Sequence, residues 1–333
     1  MAQYNDSGAL LPYTGQEAQI KDIDFYREKV HRLLRASVAQ ETRRAYASRL
    51  KHFFSWCEDE CVPSFPTSPE VLAAYIAHLA DLGASCSTIG QTMAAISAAH
   101  KAEGLLSPTD SLLIKQLIKG YRREHGTAPQ RKDAATVDII RALLATLHDD
   151  SPKAIRDAAI IALGFAGAFR RSELSALNMD DLKWTLRDNE EVLLVEVRRS
   201  KTDQEGQGMI KAIFPGKEED TSPTALLKRW LALLGNPTSG PLFREVLKGG
   251  RVTEKRLNAQ SIRLIVKRAA TATGLTLDLS AHSLRSGFVT TAIRQGKTER
   301  SIMNQTGHRS SQTLRGYFQR EDAIEDNAAK DLM

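Results

Sequence analysis

Cysteine is scarce and odd in number. The 333 residues contain three, which cannot close a complete disulfide framework and point to a reducing compartment. Cys57 and Cys61 stand four apart in an apolar helical run without a Cys or His pair at finger spacing, so core packing is expected there and no metal site. No apolar run approaches the ~20 residues that cross a bilayer, and Met1–Gln16 lacks the basic-then-apolar order of a secretion signal. A cytoplasmic, nucleoid-associated chain with no membrane partner is expected. Disorder is excluded as well, since 42% of residues are hydrophobic and 26% charged, an ordinary globular balance. The excess of 46 Lys+Arg over 40 Asp+Glu gives +6, a modest lean towards a polyanionic partner.

The length predicts about two domains. Residues 1–17, with Gly8, Pro12 and Gly15, read as a flexible leader. Residues 18–125 read as helical. Tyr46, Leu50, Phe53, Phe54 and Cys57 recur at helix spacing, Ser68-Pro69 marks a helix start and Gly83 a stop. Further helices are expected from about Ser87 to Glu103 and Asp110 to Arg123. Residues 126–135 carry Gly, Pro and charge without apolar period and read as a linker. Residues 136–320 return to helix, interrupted by one strand pattern: Val192–Val197, a polar turn at Lys201–Gly208, then Met209–Phe214. Residues 321–333 suggest a last helix. The expected fold is mainly α: a helical N-terminal domain, then a mostly helical domain with a small antiparallel β-sheet.

Four polar clusters stand out along the second domain. Gly167-Ala-Phe-Arg-Arg-Ser-Glu-Leu174 places cations after a nearly uncharged helix. Arg198-Arg-Ser-Lys-Thr202 occupies the hairpin turn. Ala281-His-Ser-Leu-Arg285 puts His282 and Arg285 on one helical face. Gly307-His308 is followed nine residues later by Tyr317. Each alone is weak, because an Arg after an apolar helix is usually a dipole partner and most tyrosines are half-buried core.

Their joint order and spacing resemble the tyrosine site-specific recombinases, with the layout of the Cre and Xer branches, over nearly the whole chain from about residue 38. The resemblance implies catalytic roles for Arg170, Glu173, Lys201, His282, Arg285, His308 and Tyr317. Two departures matter. Ala168-Phe169 stands where the family usually has Gly-Leu, before a tandem Arg170-Arg171; the Arg-x-Ser-Glu-Leu spacing favours Arg170, with Arg171 the alternative. The fourth box carries His308, as in the Xer and lambda integrase branch, free to donate a hydrogen bond or simply to pack.

The chemistry fits. Phosphoryl transfer spreads charge over equatorial oxygens, so catalysis is mostly positioning and electrostatics. Guanidiniums offer bidentate donors, histidines move protons near neutrality, and Tyr317 can form a covalent phosphotyrosine. Lys201 is placed to protonate the leaving 5′-hydroxyl, and Glu173 to brace Arg170 or a histidine. These residues include no carboxylate cluster for magnesium; no cofactor is expected.

The resemblance also implies that residues 18–125 are a core-binding domain gripping one face of double-stranded DNA. Arg43, Arg44 and Lys51, with Ala47 and Ser48, lie opposite an apolar stripe. Thr88, Gln91, Thr92 and Ala95 recur at i, i+3, i+4 and i+7, with Gln91 suited to an adenine edge. Gln260 and Arg263 align with the family's base-reading helix, while Arg122, Arg123, Arg131 and Lys132 are expected along the phosphate backbone. Two protomers would bind inverted half-sites. The stripe Ile324, Ala328, Leu332 would link a homotetramer through the C-terminal helix. Accessory proteins are not specified by the sequence. A type IB topoisomerase-like enzyme and a non-catalytic DNA-binding protein are the alternative readings.

Overall fold

A computed structural model describes residues 38–126, 132–198, 208–308, 310–312 and 314–318. Lys201, Arg131, the leader and the stripe at Ile324, Ala328 and Leu332 therefore lie outside the described residues. The chain divides into two compact units, Met1–Pro129 and Gln130–Met333.

The described part of the first unit is helical: α1 (Gln40–Asp59), α2 (Pro69–Asp81), α3 (Cys86–Ala102) and α4 (Leu112–His125). Serines open three of the four. Ser68 accepts from the Val71 N–H, Ser85 from Thr88 and Ser111 from Ile114, each satisfying a donor the first helical turn would otherwise leave orphaned. Phe53, Cys57, Leu72, Tyr75, Ile76, Ile89, Ile96 and Ile114 form one buried cluster. Cys57 is thus core, and burial pushes its thiol pKa up. Truncating Phe53, 1% exposed, to alanine would cost ~3–5 kcal/mol in transfer and cavity terms.

The second unit is built around α6 (Pro152–Ala166), buried at every position from Ala154 to Gly164. Such all-round burial explains why its sequence is nearly free of charge beyond Arg156 and Asp157. Around it lie α5 (Val137–Ala145), α7 (Arg171–Ala176), α8 (Pro223–Leu233), α9 (Ala259–Ala272), α10 (Ala281–Arg294) and α11 (Glu299–Thr306), and residues 314–318 are helical. Gly287 on α10 is needed for contact. A Cβ there would stand 1.8 Å from the Ala135 carbonyl oxygen, and that same segment is tied to α10 by Ala135 N–H donating to the Ser283 carbonyl at 2.9 Å.

The sheet is larger than the sequence reading. Strands β1 (Leu182–Arg187), β2 (Glu190–Val197) and β3 (Met209–Ile213) form an antiparallel sheet in order β1-β2-β3. β1 was not expected, although the Asp188-Asn189 turn after it carried the signal. Both residues have positive φ, 49° and 66°, as a tight two-residue hairpin requires. A second pair, β4 (Arg244–Val246) and β5 (Val252–Arg256), is also antiparallel. These strands are too short to show alternation.

Candidate active site

The end of α6 sets the site. After Ala166 the chain turns through Gly167 and Ala168, whose φ of 46° is left-handed, and Phe169 dives into the core at 1% exposure. A glycine would enter that conformation without steric cost; alanine enters it here with its carbonyl turned into the protein, where Arg285 donates to it at 2.8 Å.

Arg170 then caps α7. Its N–H donates to Glu173 Oε2 at 3.0 Å and its guanidinium to Oε1 at 2.6 Å, while Glu173 itself is 3% exposed. Of the tandem pair, Arg170 is the one that joins this cluster. Arg171 is exposed and reaches Gln260 Oε1 of α9 at 3.4 Å.

Arg285, on the first turn of α10, is 2% exposed. Its second donor meets His308 Nε2 at 2.9 Å, and His308 Nδ1 lies 2.9 Å from the Thr306 hydroxyl. A guanidinium has no acceptor, so Nε2 must be unprotonated and accept. Nδ1 therefore carries the proton and donates to Thr306, whose own hydroxyl donates to the Ile302 carbonyl at 2.7 Å. In this arrangement His308 Nε2 accepts from Arg285 and Nδ1 donates to Thr306. Burial first, then the cations Arg285 and Arg170, hold its pKa down at about 4, which keeps it neutral. Gly307 makes this turn possible, with φ 69° and Met209 Sδ only 2.8 Å from where a Cβ would sit.

His282 lies one helical turn before Ser286, exposed at the surface. Burial of its surroundings and the Arg285 and Arg170 cations lower its pKa. Arg285 itself is lowered to about 10, chiefly by burial and by Arg170, with Glu173 and Tyr317 acting in its favour; it stays a cation at neutrality. Tyr317 is half-buried, packs against the cluster of Val289, Ala292, Ile302 and Leu314, and is near enough to act electrostatically on Arg285. Arg170, Glu173, His282, Arg285, His308 and Tyr317 are therefore brought together from four separate stretches of sequence.

One residue of this neighbourhood escaped the sequence reading. Lys211 of β3 is fully buried beneath Glu173. The strand alternation Met209, Lys211, Ile213 already put it on the inward face. Arg198, beside the turn, is held by Asp180 and Asp181 at 2.6 Å each.

The expected DNA-facing residues are only partly at the surface. Arg43, Arg44, Lys51, Gln91, Arg122, Arg123 and Gln260 are exposed, and Thr88 and Arg263 half-buried. Thr92 and Ala95 are corrections: they are 2% and 1% exposed, and the Thr92 hydroxyl donates to the Thr88 carbonyl at 3.0 Å. The small, polar stripe of α3 is split, because a threonine can satisfy its hydroxyl on its own helix and face inward. Gln91 instead meets Arg49 at 3.4 Å, a residue the sequence reading passed over. Lys132 pairs with Asp278.

The phage integrase family model matches residues 135–323, more than half of the chain, and the chain belongs to the phage integrase family. Over 317 residues it is 32% identical to an integrase/recombinase xerD homolog of Selenomonas ruminantium, covering 94% of this chain and 91% of that protein. It is a site-specific tyrosine recombinase, an enzyme that cleaves and rejoins DNA; of the three readings of the sequence, this is the one its relatives support. The fold is that of XerH site-specific recombinase bound to palindromic difH substrate, at TM-score 0.61 and 17% identity over 85% of this chain and 79% of that one. It is also that of a lambda integrase tetramer bound to a Holliday junction, at TM-score 0.58 and 15% identity over 89% and 76%. Among the described residues no helix is long and apolar enough to cross a membrane.

Proposed function

We propose that Tyr317 is the nucleophile and that Arg170 and Arg285 hold the scissile phosphate. The observation that carries this is the surplus of buried positive charge facing Tyr317. Among the described residues, Arg170 and Arg285, with Lys211 beneath, are opposed by one carboxylate, that of Glu173. A cluster so unbalanced needs an anion, and a phosphodiester approaching its transition state supplies one.

The Tyr317 oxygen attacks phosphorus, the bond to the 5′-oxygen breaks, and a 3′-phosphotyrosine stores the bond for rejoining. Neutral His282 takes the phenolic proton. Lys201, which follows β2 and precedes β3 in the sequence, gives a proton to the departing 5′-oxygen. Arg170 and Arg285 neutralise the non-bridging oxygens, Glu173 orients the first and His308 the second. Residues 18–125 serve as the core-binding domain and 136–320 as the catalytic domain, joined by the 126–135 linker. Arg43, Arg44, Lys51, Arg122 and Arg123 hold phosphates, and Gln91, Gln260 and Arg263 read bases. Two protomers occupy inverted half-sites, and a tetramer linked by residues 321–333 exchanges strands, an arrangement supported by the tetrameric lambda integrase assembly of the same fold.

The test is Tyr317→Phe on a site selected from randomised DNA. Specific binding persists, since one oxygen is lost, and no covalent protein–DNA complex forms. An adduct in that variant, or one mapping to another tyrosine, overturns the assignment.

A further inference from the structure

Among the described residues Lys211 is the largest polar side chain that is fully buried, and the proposed mechanism leaves it without a task. It sits in the middle of β3 opposite Val195 of β2, with no exposed surface. Its ammonium donates to the Gly167 carbonyl at 2.7 Å and to the Gln305 carbonyl at 2.8 Å. It also lies 4.0 Å from Glu173 Oε2 and 4.7 Å above the Phe169 ring. An ammonium has three donors; two are used on main-chain carbonyls of different segments, and Glu173 of a third segment lies within ion-pair range.

Each partner is one step from a residue of the proposed chemistry. Gly167 precedes Ala168, whose carbonyl fixes Arg285. Glu173 holds Arg170 by two hydrogen bonds. Gln305 ends the helix whose next turn delivers His308, and its side-chain amide donates to the Ala166 and Ala212 carbonyls at 2.9 and 3.0 Å. Lys211 and Gln305 therefore interlace the end of α6, β3 and the end of α11. A lysine needed only to fill β3 would be replaced by any apolar side chain of its length, because burying an ammonium is costly.

We propose that Lys211 is a positioning residue for strand cleavage, holding the Arg170–Glu173 pair and the Ala168–Arg285–His308 chain in one fixed relation. This rests on the reading that Arg170 and Arg285 bind the scissile phosphate. Lys211 cannot be the general acid, because both its short hydrogen bonds run to main-chain carbonyls beneath the site.

The charge on this lysine is itself conditional. Burial lowers its pKa to about 7, Glu173 pulls upward, and Arg285 and Arg170 push downward. Those three are the charged groups facing it, with neutral His308 nearby feeling its charge. A depressed lysine pKa means that the ammonium is present below about 7 and lost above it.

The test uses the full chain and three proteins: wild type, Lys211→Met and Lys211→Arg. Affinity, thermal midpoint and single-turnover cleavage are measured from pH ~6 to ~9, the range that brackets the lysine titration. Lys211→Met keeps its midpoint and binds DNA within about threefold, yet cleaves ~10- to 100-fold more slowly, the penalty of misplacing groups around a reacting centre. Its defect is the same on a substrate with bridging 5′-sulfur, which needs no acid. Lys211→Arg, always charged, recovers most of the rate and loses the fall that wild type shows above neutrality. Wild-type cleavage by Lys211→Met overturns the proposal, as does a defect that vanishes on the sulfur substrate or parallel loss of midpoint, binding and cleavage. If Lys211→Met misfolds, Lys211→Arg alone decides: an unchanged pH profile in a folded, active protein overturns it. A Tyr317 adduct in wild type keeps the reading of the site intact whichever way Lys211 falls.

Discussion

Two clusters of charge, each with buried members, lie in the same unit and differ in their balance. In the first, Arg156 gives two donors to Asp157 Oδ1 at 2.9 and 2.7 Å and a third to the Arg244 carbonyl at 3.1 Å. Asp157 Oδ2 takes Arg268 at 3.0 Å, and Arg244 pairs with Glu254 at 2.6 Å. Donors and acceptors close on one another, and the network braces α6 against β4 and α9. In the second, Arg170, Arg285 and Lys211 share Glu173, and both histidines are kept neutral. In the first cluster three guanidiniums are set against two carboxylates and each has a carboxylate partner; in the second three cations are set against Glu173 among the described residues. A buried ion pair is weak evidence of function, whereas a cleft whose cations outnumber its carboxylates is a candidate site for an anionic ligand.

The largest expected difference separates these clusters by mutation. Arg285→Ala lowers single-turnover cleavage ~10²- to 10³-fold, the usual cost of deleting one preorganised charge-stabilising donor. Arg156→Met instead lowers stability by ~3–5 kcal/mol, because Asp157 is left buried with one partner fewer. Denaturant midpoints and cleavage by the folded fraction are measured on both. Arg285→Ala loses less stability than Arg156→Met, since it removes one of several mutually repelling cations. A cleavage defect in folded Arg156→Met as large as that of Arg285→Ala would erase the distinction.

A smaller effect is expected from pH. Unfolded, the His308 imidazole protonates near pH ~6.5; folded, it resists until about 4. The unfolded state therefore binds more protons between those values, and stability falls as pH drops through that window. His282, lowered in the same direction, adds to the slope. His308→Gln keeps an acceptor for Arg285 and removes the titration, so its denaturation midpoint changes less between pH ~7 and ~5 than that of wild type. Equal slopes would mean that His308 does not titrate in this window.

The smallest effect lies in the first unit. Gln91→Ala weakens specific over non-specific DNA binding by ~1–3 kcal/mol if it reads a base, whereas Thr92→Val leaves binding unchanged. Competition gel shifts with selected and random DNA measure both. A Thr92→Val defect in specificity without loss of stability would mean that α3 turns differently on DNA.

The same contrast explains what was legible in the sequence. Arg170, His282, Arg285, His308 and Tyr317 were singled out by the order and spacing that carry the family resemblance, and the structure places them near one another. Most helices were legible for another reason: Ser68, Ser111, Ser151 and Ser222 each cap a start, and apolar spacing carries the rest. Lys211 was hidden because lysine in a short strand reads as solvent-facing unless its register is known. Thr92 misled for the converse reason, since a hydroxyl that bonds to its own helix can turn inward. β1 was missed because Leu182–Arg187 alternates too briefly, and only the Asp188-Asn189 turn gave it away. The order of motifs singles out residues that are far apart in sequence, whereas a buried lysine such as Lys211 becomes visible only in three dimensions.

The most direct measurement of the central claim compares Arg285→Ala and Lys201→Ala on normal DNA and on DNA with bridging 5′-sulfur at the scissile phosphate. A thiol leaving group, with a pKa near ~8.5, departs without a donated proton. Both variants cleave normal DNA slowly. On sulfur DNA, Lys201→Ala recovers much of its rate, while Arg285→Ala stays slow because charge on the equatorial oxygens is still uncompensated. Recovery of Arg285→Ala on the sulfur substrate would contradict the account, for it would mean that the buried cations do not stabilise the phosphate at the transition state.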